Sequence, residues 1–340
     1  MALDRLPWHA AQWHRVQRML ETGRLPHALL LSGPPGVGKR MFAQRLAARL
    51  LCAAPVELTD PCGSCESCHW FEAGSHPDFL RLAPEDAKAP IRVDAVRAMI
   101  AFAGLSRAAG AYKVVVIEQA ERMNTAAANG LLKTLEEPPT GTIVILVTAA
   151  PARLPATVRS RCQGLRFPPA PPREARRWLA ERLAPEVLEA VPGMDLAAPL
   201  RLRENESRTG LEARVRAVEA LAAAVTGRGQ SARAVEAAEE VPVGTVLEWM
   251  LDWVAALVHA KLAGTVRPGD ERIRQALDAL GHAVSLQALW VLYDGFVELR
   301  RAGMTGLNEQ LLRERLVLDW VEAARSRKLT TGGCGSHAGG

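Results

Sequence analysis

The segment Gly33–Arg40, GPPGVGKR, has the residue types and spacing of a loop that binds phosphate. It follows an apolar run and precedes an amphipathic helical pattern, the context in which a glycine-rich string forms a phosphate cradle. Gly33, Gly36 and Gly38 let backbone N–H groups converge on phosphate oxygens, and Lys39 would reach the outer phosphates. These four residues form a candidate site for ATP or ADP.

Two other positions lack the groups that nucleotide hydrolysis needs. A hydrolytic loop has Ser or Thr after its lysine, because a hydroxyl ligates the magnesium ion at the terminal phosphates, but Arg40 stands there. The apolar run Val114–Ile117 ends in Glu118 and Gln119, and the amide of Gln119 cannot polarise an attacking water. We therefore expect no efficient hydrolysis by this chain alone. Binding without turnover, a divergent working ATPase and a loop kept only as a strand–helix turn stay open as alternatives.

Four of the six cysteines are clustered in the sequence: Cys52, Cys62, Cys65 and Cys68. Four thiolates at this spacing suit a tetrahedral zinc ion in a closed site of the structural kind. The alternatives are an iron–sulfur site, an exchangeable redox pair, and replacement of one thiolate by His69 or His76. The string CGSCESCHW contains no Lys or Arg, which disfavours nucleic-acid binding by this module itself.

Arg159 and Arg161 follow the last apolar run of the first half, in ATVRSRC. In oligomeric nucleotide machines, an arginine at such an edge reaches into the neighbour's site and stabilises charge on the transferred phosphoryl group. A surface arginine pair taken alone carries no such implication. It becomes relevant here because the chain's own candidate site lacks catalytic parts.

The elements that must position these residues alternate along the chain up to about residue 165. Short apolar runs such as HALLLSG and TIVILVTA alternate with helical patterns, which predicts an α/β domain with a parallel sheet. At 167–174, FPPAPPRE, four prolines within five positions predict a domain boundary. Helical patterns then continue to about residue 328, and the glycine-rich end predicts a disordered tail.

The composition describes an ordinary globular chain. Its 340 residues are 49% hydrophobic and 23% charged, which excludes a disordered or fibrous protein. The formal net charge of +5 argues only weakly for contact with nucleic acid. The first residues, MALDRLPWHAAQWHR, contain no apolar core, and runs such as Val114–Ile117 are far shorter than the roughly 20 residues of a membrane helix. We therefore expect a cytoplasmic protein without a membrane partner.

Several strings resemble those of a known family, the AAA+ clamp loader subunits of bacterial DNA polymerase III. They are HALLLSGPPGVGK, CGSCESC with HPDF at His76–Phe79, VDAVR at Val93–Arg97, NGLLKTLEEPP at Asn129–Pro139 and SRC at Ser160–Cys162. The combination of LLKTLEEPP with SRC is highly specific. The motifs cover about the first 165 residues, and the stretch from Gly281 to about Leu318 is similar to the collar domain of the family.

The resemblance implies a chain in three parts. These are an α/β P-loop (AAA+-like) domain at 1–166 with an inserted zinc module at 52–68, a small helical lid at 167–207, and an all-α helical collar at 208–328, followed by a disordered tail at 329–340. The collar of this family holds a hetero-pentameric ring of clamp loader subunits. The ring loads the sliding clamp onto primed DNA at the expense of ATP, as part of the DNA polymerase (nucleotidyltransferase) holoenzyme.

Within that family, the departures at Arg40, Glu118 and Gln119 indicate the non-motor member, because the motor subunits have Thr or Ser after the lysine and Asp–Glu on the second strand. For that member, the resemblance assigns Arg161 to the adjacent motor's ATP site as an arginine finger in trans. It assigns the four cysteines to structural zinc. An autonomous AAA+ ATPase and a zinc-dependent nucleic-acid-binding protein are the rival functions.

Overall fold

The computed structural model of the chain describes residues 5–55, 60–85, 89–183, 188, 195–200, 208–264, 271–302 and 308–331. The chain divides into two compact units. The first comprises Met1–Trp178 with Ala197–Arg201, and the second comprises Leu179–Leu196 with Leu202–Gly340. The finer division into a lid and a collar stays a prediction. Residues 329–331 of the predicted tail form the end of a helix, and its remainder, from 332 onward, lies outside the described residues.

A five-stranded parallel sheet forms the centre of the first unit. The strands are β1 (Ala28–Ser32), β2 (Phe79–Leu82), β3 (Lys113–Ile117), β4 (Thr142–Thr148) and β5 (Gln163–Arg166). Their order across the sheet is β2-β3-β4-β1-β5, and each neighbouring pair is parallel. β3 and β4 are buried at every position, as expected of strands covered on both faces. The predicted parallel α/β architecture is confirmed.

Helices cover both faces of this sheet. They are α1 (Ala10–Glu21), α2 (Lys39–Leu51), α3 (Glu66–Glu72), α4 (Val93–Gly104), α5 (Thr125–Glu136) and α6 (Ala156–Arg159). α7 (Pro172–Ala180) follows the last strand. Successive side chains of a strand point to opposite faces. Leu29 therefore packs in one core with Phe42 of α2, and Leu30 packs in the other core with Met99 of α4.

The regular secondary structure in the described part of the second unit is helical. Its helices are α8 (Arg208–Val225), α9 (Ser231–Glu236), α10 (Val243–Ala263), α11 (Glu271–Ala283), α12 (Leu286–Ala302) and α13 (Glu309–Thr331). α10 is long and apolar enough, by length and composition alone, to cross a membrane. Its Trp253 and Val254 are nonetheless buried in the core of this unit, which accounts for the apolar composition. The predicted helical C-terminal region is confirmed.

Candidate phosphate loop and candidate metal centre

The phosphate loop joins β1 to α2, and its glycines are required by its shape. Gly36 and Gly38 have φ values of 77° and 92°, in the left-handed region that other residues rarely adopt. A Cβ atom on Gly33 would collide with the carbonyl oxygen of Phe167, and one on Gly38 would collide with the side chain of Leu6. The three glycines singled out from the sequence thus each meet a steric demand of the loop.

Residues outside the phosphate loop donate hydrogen bonds to its carbonyl groups. Trp8 Nε1 and His9 Nε2 both donate to the carbonyl oxygen of Val37, at 2.9 and 2.7 Å. The N–H of Leu200 donates to the carbonyl oxygen of Gly36 at 3.1 Å. Within the described ranges, the N–H groups of Gly36, Val37 and Gly38 donate no backbone hydrogen bond. The cradle therefore keeps its shape while its amide groups stay available to an anion.

His9 is a neutral part of this support. Its ring is buried and packs edge-on against Phe42 and Phe167. Burial lowers the pKa of His9 to about 4, although its hydrogen bond to Val37 opposes the shift. With a pKa this low the imidazole is neutral near pH 7, and its Nε2–H donates to the carbonyl oxygen of Val37.

Lys39 bonds to the loop itself. Its Nζ donates to the carbonyl oxygens of Gly33 and Pro34 at 2.7 and 2.6 Å. Burial lowers the pKa of Lys39 to about 8, and the negative charge of Glu121 opposes that shift. Glu121 Oε1 in turn accepts the N–H of Ala149 at 3.1 Å. The lysine is thus placed at the cradle by the loop's own carbonyl groups.

Glu118, at the end of β3, is surrounded by protein donors. Its side chain is 8% exposed, and Oε1 lies 3.4 Å from Arg40 Nε. Gln44 Nε2 donates to the same oxygen at 3.4 Å, and Arg81 Nε lies 4.0 Å from it. A magnesium ion does not fit these residues, because the position after Lys39 offers a cationic guanidinium instead of a hydroxyl and the carboxylate already has cationic partners.

Sequence reasoning missed Gln44, Arg81 and Glu121 as members of this site. Gln44 lies one helical turn beyond Arg40, so helical periodicity could have found it. Arg81 lies on β2, and only the sheet order places it beside β3. Gln119, the residue predicted to lack basicity, is exposed and has a φ of 50°.

The four cysteines converge on one point at the far end of α2. Cys52 caps this helix, Cys65 precedes α3 and Cys68 lies one turn into α3. All four sulfur atoms lie within 4.8 Å of one another, with Cys52–Cys65 at 3.9 Å and Cys62–Cys68 at 4.0 Å. Zinc–sulfur bonds of about 2.3 Å in a tetrahedron place sulfur atoms about 3.8 Å apart. The cluster therefore fits a metal ion held by four thiolates.

Neither histidine replaces a thiolate in this arrangement. His76 Nε2 lies 3.3 Å from the hydroxyl of Ser67, and its Nδ1 accepts the N–H of Asp78 at 3.0 Å. His69 is exposed and is not part of the cluster among the described residues. The N–H and hydroxyl of Ser64 lower the pKa of Cys62 to about 5, whereas burial raises the pKa of Cys68 to about 12.

The cysteine module is joined to the sheet through Asp78. Its buried carboxylate accepts the N–H groups of Ala108 and Ala109 and pairs with Lys113 Nζ at 2.9 Å. Burial alone would raise the pKa of Asp78, but these donors outweigh it and lower the pKa. Through His76, Asp78 connects α3 of the module to the start of β3.

The two edge arginines have different environments. Arg159 Nη1 donates to the carbonyl oxygens of Pro151 and Leu154, both at 3.1 Å, and thereby fixes the turn before α6. Arg161 Nη1 donates to the carbonyl oxygen of Thr157 at 2.9 Å, and its Nη2 pairs with Glu136 at the end of α5. The side chain of Arg161 is 34% exposed. In the described part of the chain, none of its polar contacts reaches the phosphate loop.

Comparison with known proteins gives consistent matches. A family model described as DNA polymerase III, delta subunit, matches residues 8–171. The DNA polymerase III subunit delta' of Pseudomonas aeruginosa is 32% identical over 324 residues, covering 94% of this chain and 98% of that protein. The protein of the same name from Escherichia coli is 32% identical over 320 residues, covering 92% and 94%. A solved structure of a DNA polymerase III gamma subunit-related protein from Thermotoga maritima covers 92% of this chain and all of its own, at 20% identity and a TM-score of 0.47.

Proposed function

The chain belongs to the family of the DNA polymerase III subunit delta', and from that premise we propose that it is a non-motor subunit of the clamp loader. In this role it contributes to the geometry of a hetero-pentameric ring while neighbouring subunits hydrolyse ATP. The observation that supports a non-motor role is the ion pair between Arg40 and Glu118. Both residues stand at positions where a hydrolytic site would hold its magnesium ion.

The proposed contribution to catalysis is Arg161, acting in trans. A guanidinium that reaches a neighbour's ATP would stabilise charge on the transferred phosphoryl group. The partial exposure of Arg161 supports its availability, and its bonds to Thr157 and Glu136 hold it at the domain edge. Arg159 is less suited to this role because its guanidinium bonds to two backbone carbonyls.

The test of this role is Arg161→Ala in the complex reconstituted with the ATPase subunits. Removal of an arginine finger lowers kcat at the served site by about 10³-fold or more. We therefore expect intact assembly and reduced DNA-stimulated ATP hydrolysis, with the remaining activity coming from the other sites. Arg153→Ala, at an exposed arginine nearby, is the matched control. Unchanged hydrolysis and clamp loading in an assembled Arg161→Ala complex would contradict the trans role.

The proposed metal is structural zinc, held by Cys52, Cys62, Cys65 and Cys68. The sulfur–sulfur distances support a tetrahedral ion, and four thiolates leave no open coordination position for catalysis. Metal analysis of the purified chain is expected to find one zinc ion per chain. Iron, or no metal at all, would contradict this assignment.

The remaining parts of the proposal concern partners and location. In this proposal the chain has a lid at 167–207 and a collar at 208–328, and the collar would connect the subunit to its neighbours in the cytoplasm. The sliding clamp and primer–template DNA would be reached through the complex. Robust turnover of ATP by the purified chain would favour an autonomous ATPase instead. Tight, salt-sensitive DNA binding by the isolated chain would favour a nucleic-acid-binding protein.

A further inference from the structure

Two positions that both carry metal ligands in a hydrolytic site have side chains that contact each other in this chain. Arg40 directly follows the loop lysine, at the position of the hydroxyl ligand, and Glu118 directly follows the buried strand β3, at the position of the acidic ligand. Arg40 Nε lies 3.4 Å from Glu118 Oε1. The ion pair of Arg40 with Glu118 therefore occupies the space in which a divalent cation would lie between these two positions.

The charges around Glu118 also oppose a second cation. Arg81, from the adjacent strand β2, places another guanidinium 4.0 Å from the same carboxylate oxygen, and the amide of Gln44 donates to it. A buried carboxylate must be paired or hydrogen-bonded, and here protein groups alone meet that need. A divalent ion entering at Glu118 would meet the repulsion of two guanidinium groups.

We infer that Arg40 is the cation of this site: its guanidinium, paired with Glu118, takes the position of a divalent metal and excludes divalent metals from the carboxylate. Arg40 is therefore a specificity-determining residue and more than a missing hydroxyl. The inference concerns this chain's own residues and holds whether or not the chain occupies the proposed place in a clamp loader.

The experiment counts manganese ions bound to the full chain, using the electron paramagnetic resonance of free Mn²⁺. Comparison with Glu118→Gln identifies the ions that need this carboxylate. We expect the wild-type chain and Glu118→Gln to bind the same number of Mn²⁺ ions. Arg40→Thr should gain one Mn²⁺ per chain, and Arg40→Thr combined with Glu118→Gln should lose it again.

Two further variants separate charge from shape. Arg40→Lys keeps a positive charge and is expected to bind no additional Mn²⁺. Arg24→Thr removes a charge from an exposed arginine and is expected to behave as the wild type. If Arg40→Thr does not fold by circular dichroism, Arg40→Gln, which keeps most of the side-chain length, serves in its place with the same expected gain.

Two results would overturn the inference. In the first, the wild-type chain binds Mn²⁺ that is lost in Glu118→Gln, which would mean that Arg40 and the metal coexist. In the second, the folded Arg40 variants without the charge gain no Mn²⁺, which would mean that Arg40 is not what excludes the ion.

Discussion

Helix α2 connects two sites that use their ligand residues in opposite ways. At its C-terminal end, Cys52 joins three other thiols whose sulfur atoms all lie within 4.8 Å of one another, as a bound metal ion requires. At its N-terminal end, the carboxylate of Glu118 is already paired with Arg40 from the helix. Whether a set of metal-ligating side chains can bind an ion therefore depends on whether another protein group already pairs with them.

The two sites also differ in how far apart their parts lie in the sequence. The cysteine cluster is built from Cys52–Cys68, so a short segment determines its geometry. The surroundings of Glu118 come from α2, β2 and β3, and the phosphate loop is held by Trp8, His9 and Leu200. Substitutions at the two ends of α2 should therefore have effects of very different size.

The largest effect is expected from a cluster ligand. Cys68→Ala removes one of four donors, and loss of a structural metal is among the changes that destabilise a domain by more than about 4 kcal/mol. Urea unfolding and metal content of the same samples measure this effect. Cys162→Ala, at a cysteine outside the cluster, is the matched control. Retention of metal and stability by Cys68→Ala would show that the cluster is not a structural metal site.

The same contrast explains what could be predicted from the sequence. Spacing was sufficient for the cysteine cluster, and apolar runs were sufficient for β1, β3 and β4. β5 was missed because only Leu165 of its four residues is buried, so it carries no apolar pattern. The partners of Glu118 were missed because Arg81 reaches it through sheet pairing, which a linear pattern does not contain.

The support of the phosphate loop by the N-terminal segment was also beyond sequence patterns. His9 and Leu200 lie far from the loop in the chain, yet both bond to its carbonyl groups. The glycines, by contrast, were identified correctly because their requirement for unusual backbone angles is local. Motif recognition thus identified the loop, while the contacts that hold it needed the tertiary fold.

An intermediate effect, dependent on pH, is expected at His9. Its pKa is about 4 in the folded chain against 6.5 when unfolded, so the unfolded state binds the extra proton first as the pH falls. The stability that depends on neutral His9 is therefore fully present above pH 6.5 and is lost progressively towards pH 4. Between pH 7 and pH 5 the loss from this group is about 2 kcal/mol.

His9→Gln provides the comparison, because glutamine keeps an N–H donor for Val37 and does not titrate. We expect the free energy of unfolding in urea to fall by about 2 kcal/mol more in the wild type than in His9→Gln between pH 7 and pH 5. Equal losses in the two proteins would mean that His9 does not hold the loop as a buried neutral donor. The contacts of the N-terminal segment would then not explain why the two ends of α2 differ in their response to substitution.

The smallest effect is expected for the stability of Arg40→Thr. The Arg40 side chain is 56% exposed, and an ion pair with so much solvent contact contributes less than about 1 kcal/mol. Glu118 also keeps Gln44 and Arg81 as partners after the change. Urea unfolding at low and high salt should therefore show a small loss that salt reduces further. A loss as large as that of Cys68→Ala would mean that Arg40 is required for the stability of the fold around Glu118. Its exclusion of a metal would then be a consequence of that structural role.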